Sequence, residues 1–277
     1  MTATTVSTRG PSANMSPGFS TALKAEWTKI RSVRSTWIII ALALVLCIGF
    51  SAGTALISGL TFEDWDANAI ETFDPVLTSN AGSLFGGILL ITFAVTAITA
   101  EYSSGMIRTT FINNPRRSQV LAAKAVVVGL IGLAVTAVTI PGMFLVSQPI
   151  FGHYGLETAS ITDRETYRTL LTVILTQGLI YTLIPFSIGW LLRSTASAIT
   201  ISLGFMWLPW MLGPILPEWV NQNVVAYLPD VAANSLSGFT ASDAAQYLSQ
   251  TPAIIVVAVW LLGFILAADI VLNRRDV

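Results

Sequence analysis

Residues Trp37–Leu60 read WIIIALALVLCIGFSAGTALISGL, twenty-four positions without one charged side chain. A helix rises ~1.5 Å per residue, so about 20 apolar residues cross the ~30 Å of bilayer hydrocarbon. The stretch therefore predicts a membrane-crossing helix. Further apolar runs follow at about 82–100, 120–146, 170–192, 196–216 and 253–272. The whole chain is 53% apolar and 10% charged, against roughly 25% charged residues in soluble domains. The expected fold class is an all-α integral membrane protein, with six transmembrane helices in one domain over residues 37–277.

The charges between the spans set the orientation. Twelve of the fourteen basic residues fall on one side of this layout. Arg9, Lys24, Lys29, Arg31 and Arg34 precede the first span, and Arg108, Arg116, Arg117 and Lys124 lie between the second and third. Arg193 sits in the turn after the fourth, and Arg274 and Arg275 follow the sixth. The other connections hold only Arg164 and Arg168. Basic loops stay inside, so both termini are expected in the cytoplasm. The first outer loop instead carries Glu63, Asp64, Asp66, Glu71 and Asp74.

One cysteine, Cys47, and one histidine, His153, leave no disulfide within the chain and no cysteine-based metal site. No metal site, catalytic residue or nucleic-acid partner is expected. Gly49-Phe50-Ser51-Ala52-Gly53 fits the spacing of a hydrolase nucleophile elbow, but that motif needs a strand-turn-helix and here falls within a helical run.

Residues 1–18, rich in Ser, Thr, Pro and Gly, are expected to be a disordered cytoplasmic tail. No cleavable leader is expected, because the first apolar run starts late and runs long. Residues 19–36 are different. Phe19, Leu23, Trp27 and Ile30 recur at helical spacing, with Lys24, Lys29, Arg31 and Arg34 mostly off that stripe. This predicts an amphipathic helix on the inner membrane surface, anchored by its aromatic face, with basic residues toward anionic headgroups.

Small residues mark close helix contacts. Gly49-x-x-x-Gly53 in the first span and Gly82-x-x-x-Gly86 at the second could serve packing within the chain or a subunit interface. Thr92, Thr96 and Thr99 share a face of the second span, and Thr176, Gln177 and Tyr181 lie on the fourth. They could line a translocation path, or the hydroxyls could bond their own helices. Pro141, Pro185, Pro209 and Pro214 favour kinks in the later spans. In the last outer loop, Val220, Val224, Tyr227 and Leu228 fit a helical turn. Thr240 with Asp243 fits a capping box for a helix over 244–248.

A phosphate-cradling loop needs Gly-Lys followed by Ser or Thr. The three lysines, Lys24, Lys29 and Lys124, follow Leu23, Thr28 and Ala123. Any ATP-driven role must therefore use the motor of another polypeptide.

The second span ends in Glu101-Tyr102-Ser103-Ser104-Gly105-Met106-Ile107-Arg108-Thr109-Thr110-Phe111, followed by Asn113-Asn114-Pro115-Arg116-Arg117. Together with Ala25–Trp37 and the six-span layout, this resembles the membrane subunit of bacterial ATP-binding-cassette transporters, of the type-2 exporter permease family. The resemblance implies that the connection after the second span is a coupling segment docking on an ATPase. Glu101, Gly105, Arg108 and Phe111 match its motif, with Arg116 and Arg117 beyond. It further implies partner ABC ATPase subunits that bind ATP and Mg, no cofactor on this chain, and a second permease chain, the same or a sister. The expected location is the bacterial plasma membrane. The rival readings are an ion-coupled secondary transporter, which the near absence of charge within the spans disfavours, a membrane-embedded enzyme, and a scaffold.

Overall fold

The computed structural model describes residues 18–274. The expected tail thus lies outside the described residues except for Gly18, as do Arg9 and Arg275. Among the described residues there is no strand, and six helices are long and apolar enough to cross a membrane.

The chain opens with α1 (Phe19–Ser32). Val33, extended at φ −87° and ψ 117°, breaks the helix and makes an elbow into α2 (Arg34–Thr61). Two short helices follow, α3 (Ala67–Glu71) and α4 (Pro75–Ser79), each started by an acid of the first loop. Asp66 accepts from the amide of Ala69 at 2.7 Å, and Asp74 from those of Val76 and Leu77 at 2.8 and 3.0 Å. Such caps satisfy amides that a helix start leaves open.

Then come α5 (Ser83–Ser103), α6 (Met106–Asn113), α7 (Arg117–Tyr154) and α8 (Arg164–Leu192). At 38 residues α7 is about 57 Å long, well beyond the hydrocarbon thickness, and it carries Pro141 and Pro149 inside. After the turn at Arg193 and Ser194 the chain continues through α9 (Thr195–Leu212), α10 (Glu218–Asn223), α11 (Pro229–Ser237) and α12 (Gln250–Arg274). Pro214 falls in a 3-10 turn beyond α9 rather than inside the span.

The stretch 244–248 forms turns, not the expected helix. So short a segment gains too few backbone bonds to offset nucleation, and the amide of Leu248 bonds the Ser235 hydroxyl instead. The ordered elements of that loop are α10, a 3-10 turn over Val225–Tyr227 where a helical turn is expected, and α11, which Pro229 starts and Gly238, at φ 85°, ends.

α7 and α8 form the centre, with 67% and 61% of their most apolar stretches buried, while α2, α9 and α12 bury only 22%, 17% and 11%. The last three are apolar on every side yet mostly uncovered, as helices facing lipid must be. The inward face of α2 is the ridge Ala43, Cys47, Ser51, Ala55 and Gly59. Gly82 meets this ridge so closely that a Cβ there would collide with the Cys47 carbonyl, and its amide donates to Ser51 Oγ at 3.0 Å. A Cβ on Gly86 would sit 3.1 Å from Cys47 Sγ. Gly49 and Gly53 are the exception to the packing expectation within the chain. Nothing lies within 4 Å of a Cβ at either, because both point away from the buried ridge.

Candidate functional site

The described basic residues that the sequence sorts to one side, all of the twelve but Arg9 and Arg275, gather at one end of the bundle. Here α1 meets the end of α5 and the start of α7, with the α8–α9 turn held against Tyr102 and the end of α12 against Arg117. This basic end holds a buried ion network. Lys124, in the first turns of α7, is 1% exposed. Its ammonium donates to Glu26 Oε2 at 2.5 Å and to Glu101 Oε1 at 2.7 Å. Lys29 donates to Glu26 Oε1 at 3.0 Å, to Glu101 Oε1 at 3.1 Å and to Thr110 Oγ1 at 3.4 Å. Two carboxylates and two ammonium groups thus join α1, α5, α6 and α7 with no net charge.

The local sequence explains who comes to the network. On α1, Ala22, Glu26 and Ile30 are buried, four residues apart on one face. Small Ala22 and apolar Ile30 let α1 approach α7 and carry the Glu26 carboxylate in with them. Desolvating four charges costs several kcal/mol per ion, and their attraction offsets this only when geometry and hydrogen bonding are good. The close contacts and zero sum meet that condition, except that Glu101 Oε2 is buried with no protein partner. Lys29 lies at the rim with its side chain 33% exposed. Burial alone would lower its pKa, but the Glu26 and Glu101 carboxylates outweigh burial and hold it above the ordinary 10.5.

Beyond the network the chain turns sharply. Gly105, at φ 71°, is left-handed, a conformation that costs a side-chain-bearing residue ~1–2 kcal/mol. It ends α5 and launches α6 in a new direction. One side of α6 packs inward: Ile107 is 3% exposed, and the Phe111 ring lies 6.5 Å from that of Trp190 on α8. The other side is bare. Arg108 and Asn113 are exposed, and Met106 and Ile112 are 46% and 79% exposed. Asn114 Oδ1 accepts from the Arg116 amide at 3.2 Å and shapes the return into α7. Arg116 points to the surface. Arg117 stacks its guanidinium 5.4 Å over Phe111 and donates to the Leu272 carbonyl at 3.1 Å, holding the end of α12. Trp190 also meets Tyr102 edge-on, and Arg193 covers Tyr102 at 5.0 Å.

The residues singled out in the sequence therefore separate. Glu101 belongs to the buried network, Gly105 is the turn, Phe111 and Arg117 are the inner braces, and Arg108 and Arg116 are surface groups. Of the expected anchor stripe, Phe19 and Trp27 are exposed at 43% and 49%, while Ile30 is buried and Leu23 packs against the core. Lys24, Arg31 and Arg34 are exposed, and Lys29 is drawn into the network. Glu26 and Lys124 are the residues that sequence reasoning missed. The spacing Ala22–Glu26–Ile30 and a lone lysine inside the run VLAAKAVVV were the available signals.

The threonines bond backward along their own helices. Thr92, Thr96, Thr99 and Thr176 donate to the carbonyls of Ile88, Thr92, Val95 and Thr172 at 2.7–3.0 Å. Thr99 also accepts from Thr195 across to α9 at 2.7 Å. Gln177 is half-buried. Tyr181 differs, since its hydroxyl donates at 2.8 Å to Asp230 on α11, toward the opposite end of the bundle. Burial pushes the Asp230 carboxyl up to about 6, against the lowering effect of hydrogen bonds from Tyr181 and Asn234. Ser51 lies inside α2 with its hydroxyl on the Gly82 amide, and His153 is exposed at the far end of α7. The two are not brought together. No group of metal-ligating side chains occurs among the described residues.

A family model described as ABC-2 family transporter protein matches residues 22–208, from α1 into α9. The comparison with curated proteins returned no relative.

Proposed function

Because the chain belongs to the ABC-2 transporter family, we propose that this multi-pass membrane permease is the membrane half of an exporter whose ATPase is a separate polypeptide. α6 is the docking element. It stands at the basic end behind a left-handed glycine, and it offers Met106, Arg108 and Ile112 outward while Ile107 and Phe111 hold it from behind. That arrangement is the observation that carries the reading. The apolar side chains supply burial and Arg108 can pair in fixed geometry with a partner carboxylate.

In this reading the basic end faces the cytoplasm of a bacterial cell, as basic loops require. Two ATPases bind ATP and Mg, and this chain binds neither. A second permease chain, the same or a sister, completes the path. Closure of the ATPases pushes α6. The push passes through Phe111 and Trp190 to α8, and through Thr110 and Lys29 to α1 and the end of α5. The spans reorient and an amphiphilic substrate moves outward. Thr92, Thr96, Thr99, Thr176, Gln177 and Tyr181 remain the proposed polar side of the path.

The test is co-expression of the full chain with the ATPase of a neighbouring reading frame. Arg108→Glu with Ile112→Glu is expected to abolish co-purification and ATP-dependent transport while the permease still elutes as a single species. Intact assembly and transport in that variant would refute the assignment of α6. Both substitutions are at the surface, so the outcome does not turn on folding.

A further inference from the structure

Where α1, α2 and α7 diverge below the elbow they leave an apolar cavity of about 220 Å³. Trp27 and Arg31 line it from α1, Trp37 and Leu44 from α2, and Ala134 and Val138 from α7. Arg31 is the one charged residue on its lining. The Trp37 indole donates to the Arg31 carbonyl at 3.0 Å and so fixes the mouth. Among the described residues the side chains of Arg31 and Arg34 take no ion pair or hydrogen bond, and both are exposed.

We propose that this groove is a phospholipid site. It takes one acyl chain of an anionic lipid from the adjacent leaflet, with the phosphate between Arg31 and Arg34. Three features fit that occupant. Apart from Arg31 and Thr36 the lining side chains are apolar, which suits hydrocarbon and not water. From Trp37 to Leu44 the α2 wall runs roughly 10 Å, within the ~15 Å of hydrocarbon in one leaflet. The unpaired Arg31 guanidinium on the lining, with exposed Arg34 three residues on at the start of α2, matches a phosphate, which arginine holds in a planar fork.

The charge pattern also disfavours a second copy of the chain on this face. The three helices hold one carboxylate between them, Glu26, and it is already buried against Lys124. A two-fold contact through the groove would bring arginines toward arginines. The site does not depend on the ATPase, so it stands or falls apart from the exporter reading.

The experiment reconstitutes the full chain in phosphatidylcholine vesicles doped with phosphatidylglycerol carrying a photoactivatable acyl chain, and maps labelled peptides by mass spectrometry. Labelling is expected to be several-fold higher over residues 27–44 and 131–138 than on α12, which meets the same bilayer. Ala134→Phe and, separately, Val138→Phe should bring the groove down to the α12 level. Arg31→Gln with Arg34→Gln should remove the preference over phosphatidylcholine carrying the same probe, leaving labelling of α12 unchanged as evidence of a folded chain. Uniform labelling of α2, α7, α9 and α12 would overturn the proposal, as would cross-links from the groove to another copy.

Discussion

Lys29 and Lys124 donate to the same carboxylate oxygen, Glu101 Oε1, at 3.1 and 2.7 Å. Two ammonium groups tolerate that proximity because Glu26 presents one oxygen to each of them. The unit is therefore four residues on three helices, and its members act together.

Lys124→Met should leave two buried carboxylates facing one half-exposed ammonium. Removing one partner of a buried ionic cluster costs about 3–5 kcal/mol, which a thermal melt in detergent should show as a large loss. Adding Glu101→Gln restores the charge balance, so the double variant should melt above the single one. Equal or lower stability in the double variant would mean that charge balance does not govern this joint.

The glycines of the first two spans should behave in opposite ways. Gly82→Ala drives a methyl group into the Cys47 carbonyl, and overpacking of this kind costs about 1–3 kcal/mol or more where backbone must move. Gly49→Ala meets open space and should be neutral or stabilising by up to about 1 kcal/mol, since alanine is the better helix former. Paired melting curves test this directly.

Gly105→Ala has no steric obstacle, because nothing lies within 4 Å of the added carbon. Its cost is the left-handed backbone alone, about 1 kcal/mol. Gly105→Asn should cost less, as asparagine tolerates that region best among residues with side chains. Equal losses in the two variants would point to something other than backbone conformation.

The Asp230 carboxyl titrates at about 6 in the folded protein, above its ordinary 3.8. The unfolded chain therefore binds fewer protons between those values, and stability should fall as pH rises through that window. Between pH 5 and pH 7 the loss from this group should be about 1 kcal/mol. Asp230→Asn removes the charge and should flatten that slope, as melting at several pH values would show. A slope unchanged in the variant would assign the effect to another group.

The six crossings were readable because lipid imposes a simple rule: every residue of a span must be apolar or internally bonded. The runs at Trp37–Leu60 and 253–272 satisfy it with composition alone. The orientation of α1 was harder to read. Its stripe Phe19–Leu23–Trp27–Ile30 and its buried face Ala22–Glu26–Ile30 share Ile30 and differ by roughly half a residue of rotation. A glutamate read as solvated hides the second choice. Lys124 was counted as part of a basic loop because its two partners lie 98 and 23 positions away in the chain, and no local pattern encodes such a meeting. Likewise, Gly49 and Gly53 carry the small-residue spacing, yet the contact forms through the neighbouring ridge of Cys47 and Ser51. Spacing states that a close face exists, but the partner helix selects which one.

Three of the crossings, α2, α9 and α12, leave most of their length uncovered by protein. In solution that flank is always coated by amphiphile, so the particle that sediments or scatters is a composite. Its measured mass will exceed that of the 29.6 kDa protomers it contains. The number of chains in the assembly can be read only after the belt has been weighed separately and subtracted.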